Sequence, residues 1–276
     1  MSETGTTTRR GIRVAAVQMI SGTDVAENLA CAERLIAEAA ADGAELVALP
    51  EYFALIHADE SAKVRLREVP GGGPLQDFLS RTAQKYGVIL VGGTIPLECG
   101  EDDKVFNTCL VFDRDGGQIA RYDKIHLFGF VKGTENYQEA RTIQPGREIV
   151  VFDCSVGRVG LGICYDIRFA ELFRAMGEID LIVVPAAFTE TTGRAHWEVL
   201  LRARAIENQC YVLASAQGGK HASGRMTHGN SMFIDPWGAV LARLDKGSGV
   251  LANAVDLDYL NEIRQNLPAL KHRVLR

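Results

Sequence analysis

The sequence lacks the segments that carry a protein into or across a membrane. No stretch of the 276-residue chain approaches the roughly 18 consecutive apolar residues that a membrane helix needs. Residues 1–10 are polar and contain no apolar core of the kind found in signal peptides. We therefore expect a flexible tail over 1–10 and a protein with no membrane partner.

Cysteine and histidine are both few and scattered. The six cysteines have none of the short paired spacings of a disulfide framework or a zinc site, and most of them lie within apolar stretches. The six histidines form no cluster with metal-ligand spacing. These absences predict a protein of the reducing cytoplasm that uses no metal and no other cofactor.

Basic residues are scattered as well, and the formal net charge is -5. Nucleic-acid binding needs a concentrated basic face, so this class of partner is not expected. With 47% hydrophobic residues, a chain of this length can bury one large core. We expect a single domain over residues 11–276.

Strand-like and helix-like segments alternate along the chain. An apolar run at Ile12–Met19 predicts a buried strand, and Asp24 then begins a helix with its apolar residues on one face. Residues 106–113 and 118–122 flank a glycine turn and predict a hairpin. Further strands are predicted at 46–50, 88–95, 159–163, 181–187, 211–216, 231–234, 240–244 and 251–255, and further helices at 75–86, 169–176 and 197–208. Strands with two apolar faces predict an α/β protein with two mixed sheets packed face to face and helices outside.

Cys164 is the most informative single position. It ends a glycine-bearing apolar strand at the point where a helix is predicted to begin, and such an elbow exposes a side chain to helix N–H groups that favour a thiolate. A cysteine in an apolar run is more often an inert core residue, so this position alone is weak evidence for a nucleophile.

Three charged residues complete a candidate site. Glu51 follows a predicted buried strand, and Lys124 stands at the end of another beside apolar residues. Glu139 has no distinctive setting, and solvated surface positions are the commoner alternative for all three.

In this order, the blocks resemble the nitrilase superfamily of carbon–nitrogen hydrolases, and the resemblance covers nearly the whole chain. The residues that carry it are Leu49-Pro50-Glu51, Tyr122-x-Lys124-x-His126-Leu127, Gly162-Ile163-Cys164-Tyr165-Asp166-x-Arg168-Phe169-x-Glu171, Pro185-Ala186-Ala187-Phe188, Arg202-Ala203-Arg204-Ala205-Ile206-Glu207-Asn208 and Asp235-Pro236-Trp237-Gly238. The run His196–Glu207 is most similar to the Nit branch of deaminated glutathione amidases and ω-amidases.

The resemblance implies a four-layer αββα sandwich that pairs into a homodimer or a larger assembly of dimers. It also implies a Glu51–Lys124–Cys164 triad with Glu139 in support, acting on a small-molecule amide through a thioester to give an acid and ammonia. The Tyr165 N–H would help Lys124 to hold the oxyanion. Asp166 and Arg168 are expected to pair and fix the elbow.

A substrate carboxylate would need a cation other than Lys124. Arg194 and Arg225 lie in segments expected to be loops and are the candidates, although a solvated surface arginine is the commoner case. Arg194 stands where these amidases commonly carry a proline, and the segment Gly129–Tyr137, expected to be a loop, differs from theirs. These departures affect the choice of substrate.

Other functions compete with this interpretation. Within the superfamily, ω-amidase, nitrilase, N-carbamoyl hydrolase and acyl transfer all remain open. A papain-like protease would use His126 or His196 and leave the Glu51 and Lys124 blocks unexplained. A non-catalytic scaffold is disfavoured because no member of the Cys–Glu–Lys–Glu set is missing.

Overall fold

A computed structural model describes residues 11–133 and 135–275 of the chain. The predicted tail, 1–10, lies outside the described residues. No helix in the described part of the chain is long and apolar enough to span a membrane. The strands are β1 Ile12–Gln18, β2 Leu46–Ala48, β3 Ile89–Val91, β4 Ile95–Glu98, β5 Val105–Phe112, β6 Gln118–Asp123, β7 Gly129–Lys132, β8 Glu135–Gln138, β9 Val151–Cys154, β10 Gly157–Leu161, β11 Leu181–Ala186, β12 Tyr211–Ala216, β13 Ser231–Ile234, β14 Val240–Leu244 and β15 Gly249–Val255. The α-helices are α1 Val25–Ala41, α2 Ala62–Arg65, α3 Pro74–Tyr86, α4 Ala170–Ala175, α5 Glu190–Asn208 and α6 Leu257–Asn266, and 3-10 turns occur at Glu139–Arg141 and Cys164–Arg168.

Two mixed sheets form the centre of the fold, as predicted. The first has the order β15-β1-β2-β3-β5-β4, with β6 also paired to β5, and the second has the order β14-β13-β12-β11-β10-β9. They pack face to face where β1 and β2 meet β12. Helices α1 and α3 cover the outer face of the first sheet, and α4 and α5 pack with the second. This is the predicted αββα arrangement.

Local sequence explains where the helices begin. The Asp24 side chain accepts a hydrogen bond from Glu27 N at 3.0 Å and so caps α1 as predicted. Helix α5 begins at Glu190, with Thr189 as its cap, and is therefore seven residues longer at its start than the expected 197–208 helix. Because of this earlier start, the prediction that Arg194 lies in a loop is wrong.

Three further expectations about strands need correction. Residues 88–95 do not form one strand, because Gly93 has φ +58 and a Cβ there would lie 2.2 Å from Pro50 O, so β3 ends and β4 begins anew. The segment 251–255 was expected as a returning strand after the turn at 235–238, but it lies in β15, which pairs with β1. The expected loop 129–137 contains the antiparallel pair β7 and β8.

Candidate active site

The predicted elbow at Cys164 is present. Strand β10 ends at Leu161, and Cys164 begins a 3-10 helix with φ +50, a conformation that costs a non-glycine residue free energy. Gly162 allows the turn, because a Cβ there would lie 2.9 Å from the Phe173 ring. The strand therefore delivers Cys164 into a constrained position, where 7% of the residue is exposed.

Asp166 holds the elbow, although not in the predicted way. Its carboxylate accepts hydrogen bonds from Ile163 N at 2.8 Å, Tyr122 Oη at 2.7 Å and His126 N at 3.0 Å. His126 Nδ1 lies 2.8 Å from Asp166 Oδ1. These contacts tie the second sheet's elbow to the end of β6, next to Lys124.

The expected pairing of Asp166 with Arg168 is wrong. The Arg168 guanidinium lies over the rings of Tyr165 and Phe188, at 5.7 and 5.3 Å from their centroids, and contacts His196 Nδ1 at 3.2 Å. Arg168 therefore packs on aromatic side chains beside Cys164. The sequence motif alone could not distinguish this packing from an ion pair with Asp166.

Lys124 joins the two glutamates. Its Nζ lies 2.8 Å from Glu51 Oε1, and 3.0 and 2.8 Å from Glu139 Oε1 and Oε2. Lys124 is fully buried, and the side chains of Glu51 and Glu139 are 1% and 11% exposed. Two buried carboxylates therefore share one ammonium. The positive charge of Lys124 offsets part of the free-energy cost of burying the two negative charges.

Neutral donors complete the shell around the two carboxylates. Asn107 Nδ2 donates to Glu51 Oε1 at 2.9 Å, and Ala187 N donates to Oε2 at 2.9 Å. Tyr52 Oη donates to Glu139 Oε1 at 2.9 Å, and Phe128 N donates to Oε2 at 2.8 Å. The sequence reasoning missed all four donors. Two of these donors could have been suspected from the sequence. Tyr52 directly follows Glu51, and Asn107 is a polar residue within an apolar strand.

The charge states follow from burial and these contacts. Burial opposes the ammonium form of Lys124, but the charges of Glu139 and Glu51 outweigh it and raise the pKa of Lys124 above its usual range. Burial opposes the charged form of Glu139, yet Lys124 holds its pKa below its usual range. Burial and the charge of Glu51 raise the pKa of the Cys164 thiol well above its usual range, against the opposing effect of Lys124. Burial and the neighbouring carboxylate therefore oppose the backbone hydrogen bond that favours a Cys164 thiolate, and the balance favours the thiol.

Comparison with known proteins identifies the family. The model of the carbon-nitrogen hydrolase family matches residues 13–265. The chain belongs to the carbon–nitrogen hydrolase family. It is 43% identical to a deaminated glutathione amidase of Synechocystis over 94% of this chain and 97% of that protein, and 40% identical to the omega-amidase NIT2 of Danio rerio over 95% and 94%. Saccharomyces cerevisiae Nit3, a member of branch 10 of the nitrilase superfamily, superposes with a TM-score of 0.85 at 32% identity, over 96% of this chain and 97% of that chain.

A small pocket lies beside Cys164 in this hydrolase. Cys164, Glu139 and Arg225 line it together with aromatic and small residues, which are Phe128, Tyr165, Ala187, Phe188, Thr189 and Thr192. Arg225 and Tyr137 also line a wider outer hollow. The sequence-derived set of Cys164, Glu139, Tyr165 and Arg225 is thus brought to one pocket.

The two candidate arginines lie in different places. The Arg225 guanidinium donates from Nη2 to Ala187 O at 2.8 Å and lies 5.3 Å from the Tyr137 ring centroid. Its Nε is buried and has no hydrogen-bond partner among the described residues. Arg194 instead has a 75% exposed side chain that pairs with Glu190 at 2.7 Å. Only Arg225 lines the pocket that contains the cysteine.

Proposed function

We propose that this hydrolase cleaves small carboxylate-bearing amides through a Cys164 thioester, with deaminated glutathione as the preferred substrate. The observation that carries the chemistry is the contact of one buried ammonium, Lys124, with both Glu51 and Glu139 beside a buried cysteine. The substrate class is supported by the 43% identical relative named a deaminated glutathione amidase and by Arg225 in the pocket.

In acylation, Glu51 takes the proton of the Cys164 thiol as sulfur attacks the amide carbon. The carbonyl oxygen becomes an oxyanion, which Lys124 and the Tyr165 N–H stabilise by hydrogen bonds. The proton held by Glu51 passes to the leaving nitrogen as the carbon–nitrogen bond breaks. Because the free thiol is neutral at rest, attack and proton transfer have to be coupled.

In deacylation, Glu51 takes a proton from water, which attacks the thioester carbon. The second oxyanion is held by the same donors, and the carbon–sulfur bond then breaks with return of the proton to Cys164. Glu139 keeps Lys124 charged and oriented through both half-reactions. The products are a carboxylic acid and ammonia, or an amine when the amide nitrogen carries a substituent.

The substrate carboxylate is assigned to Arg225 in this proposal. A charged hydrogen bond of this kind contributes about 1.5–3 kcal/mol, so we expect Arg225→Gln to raise KM for carboxylate-bearing amides roughly 10- to 100-fold. Neutral amides should lose far less, and Arg194→Gln is the matched control at a solvated arginine. Equal losses on charged and neutral amides would contradict the assignment.

The activity is tested with the purified protein against four substrate classes: deaminated glutathione, α-ketoglutaramate, simple nitriles and N-carbamoyl amino acids. Both acid and released nitrogen product are measured, since the amide nitrogen of deaminated glutathione belongs to a peptide and leaves as an amine. ω-Amidase is the alternative, favoured by the 40% identical relative. Efficient hydrolysis of a nitrile or carbamoyl compound alone would reject the substrate class and leave the family chemistry intact.

A further inference from the structure

Tyr52, the residue after Glu51, is held in an unusual conformation. Its φ of +56 lies in the left-handed region, which costs an aromatic residue free energy. Its N–H donates to Thr94 Oγ1 at 2.8 Å, and the carbonyl of Glu51 accepts from Gln217 Nε2 at 3.1 Å. Contacts from two other segments therefore maintain the strain and aim the Tyr52 side chain.

The Tyr52 hydroxyl meets a carboxylate oxygen that Lys124 also contacts. The ammonium has three N–H donors, and it has three carboxylate oxygens within 3.0 Å, which are Glu51 Oε1, Glu139 Oε1 and Glu139 Oε2. An oxyanion would need one of these N–H groups. When each of these oxygens takes its own N–H, Lys124 gives up one carboxylate contact in the transition state.

Each of those three oxygens has a second, neutral donor. Asn107 Nδ2 donates to Glu51 Oε1, Phe128 N donates to Glu139 Oε2 and Tyr52 Oη donates to Glu139 Oε1. The contact of Lys124 with Glu139 Oε1 is the longest of the three, at 3.0 Å. It is the contact whose loss costs least, provided that Tyr52 continues to donate to this oxygen.

We propose that Tyr52 is a positioning residue, which keeps Glu139 Oε1 hydrogen bonded while Lys124 turns one N–H toward the oxyanion. The inference rests on the proposed function and adds a residue to it. The aromatic ring has its own contact, since Lys63 Nζ lies 5.4 Å from its centroid. Tyr52→Phe therefore removes the donor and keeps the ring in place.

The first test is steady-state kinetics of Tyr52→Phe on the best substrate of the wild-type enzyme. We expect kcat to fall roughly 10- to 100-fold, as for loss of a hydrogen bond to a charged group, with KM and the melting temperature nearly unchanged. Tyr86→Phe is the matched control, because the Tyr86 hydroxyl also donates to a glutamate, Glu33, at 3.3 Å but on the surface. An unchanged kcat, or a rise in KM alone, would overturn the proposal.

A double-mutant cycle separates this role from a general loosening of the site. If Tyr52 acts through Glu139, then adding Tyr52→Phe to Glu139→Gln should cost much less than it costs the wild type. Additive losses would indicate an effect unrelated to Glu139 and would overturn the proposal. The cycle needs measurable turnover, so a wild-type protein that hydrolyses no amide rejects the proposed function instead.

The pH profile of kcat gives an independent readout. Removal of a donor to the carboxylate should raise the pKa of Glu139. Because protonated Glu139 no longer holds the Lys124 ammonium in place, the acid limb of the profile should move to higher pH. The charged or titratable groups around Tyr52 and Glu139 are Lys124, Glu51, Cys164, Lys63, Glu60 and Arg225, and all of them stay unchanged in Tyr52→Phe. An acid limb at the wild-type position would contradict the role of Tyr52.

Discussion

At the scale of single residues, the reactive cysteine and its neighbours are arranged to keep the thiol neutral until substrate arrives. Cys164 lies near two carboxylates, Glu51 and Glu139, and two cations, Lys124 and Arg225, so a resting thiolate would add an uncompensated negative charge. Glu51 has to receive the thiol proton during attack. The enzyme would then avoid the oxidation that a permanent thiolate invites.

This arrangement of charges predicts that the Cys164 thiol stays protonated at neutral pH. An unperturbed cysteine ionises at about pH 8.5, whereas burial and Glu51 raise the pKa of Cys164 well above that. The thiolate ultraviolet absorbance of the wild type minus that of Cys164→Ser should therefore show no inflection between about pH 6 and 8.5. A titration step attributable to Cys164 near neutral pH would contradict the arrangement.

Lys124 should matter as much for stability as for chemistry. Lys124→Met keeps the side-chain volume but leaves two buried carboxylates without their cation, which costs about 3–5 kcal/mol of unfolding free energy in comparable cases. Urea unfolding measures the loss. Lys85→Met is the control, because the Lys85 pair with Glu33 is largely exposed and contributes little to stability. Similar losses in both variants would refute the prediction.

The sequence predicted the charged residues of the site better than their partners. Glu51, Lys124 and Cys164 stand at strand ends within recognisable blocks, so their convergence could be expected. Backbone donors such as Ala187 N have no sequence signature, because every residue except proline carries one. Whether these residues perform the proposed chemistry remains a prediction that the variants above test.

At the scale of secondary-structure elements, α5 packs against the segments that hold Cys164 in place. Trp197 packs on Phe188 at 4.9 Å between ring centroids and donates to Asn230 O at 2.8 Å. Arg204 donates from Nε to Ile167 O at 2.8 Å, within the 3-10 helix that Cys164 begins. The helix thus satisfies a backbone carbonyl that the short 3-10 turn leaves free.

Arg204→Met tests this support. The methionine fills much of the same volume but leaves Ile167 O without its donor, which should lower the free energy of unfolding by about 1–3 kcal/mol. The loss is measured by urea denaturation. Arg81→Met is the matched control, since Arg81 also donates to a backbone carbonyl, Asp77 O at 3.2 Å, in an exposed position. Equal midpoints for the two variants would show that α5 does not support the elbow in this way.

Elements with a strong local pattern were predicted well, and those decided by tertiary contacts were not. Apolar periodicity and caps located α1 and α3. The break between β3 and β4 depends on the close approach of Gly93 to Pro50 O, which no local pattern contains. The β7–β8 pair carries mostly exposed residues and therefore lacked an apolar alternation.

At the scale of the whole molecule, an apolar surface lies beside α5. Val199 and Ile206 are 68% and 50% exposed on this helix, and Trp237 and Leu241 are exposed on the neighbouring turn and strand β14. Ile206 lies against Gly238, so the helix and the turn form one continuous area. Such clusters are commonly covered by a partner.

We expect this surface to contribute to the predicted homodimer or assembly of dimers. Light scattering at micromolar concentration should give at least twice the chain mass of 30.1 kDa. Val199→Lys should lower that mass, whereas Val69→Lys, at a 59% exposed valine elsewhere, should not. A fully active monomer in the wild type would reject the prediction.

The pairing of β15 with β1 has a consequence for the order in which the protein can be made. Ile12 lies opposite Val255, so β1, the first described strand along the chain, pairs with β15, the last. The edge of β1 that faces β15 stays unpaired until β15 has been synthesised, and unpaired edges invite aggregation. The first sheet, which carries Glu51 after β2 and Lys124 after β6, is therefore completed by a contact between distant parts of the chain, and such contacts form slowly.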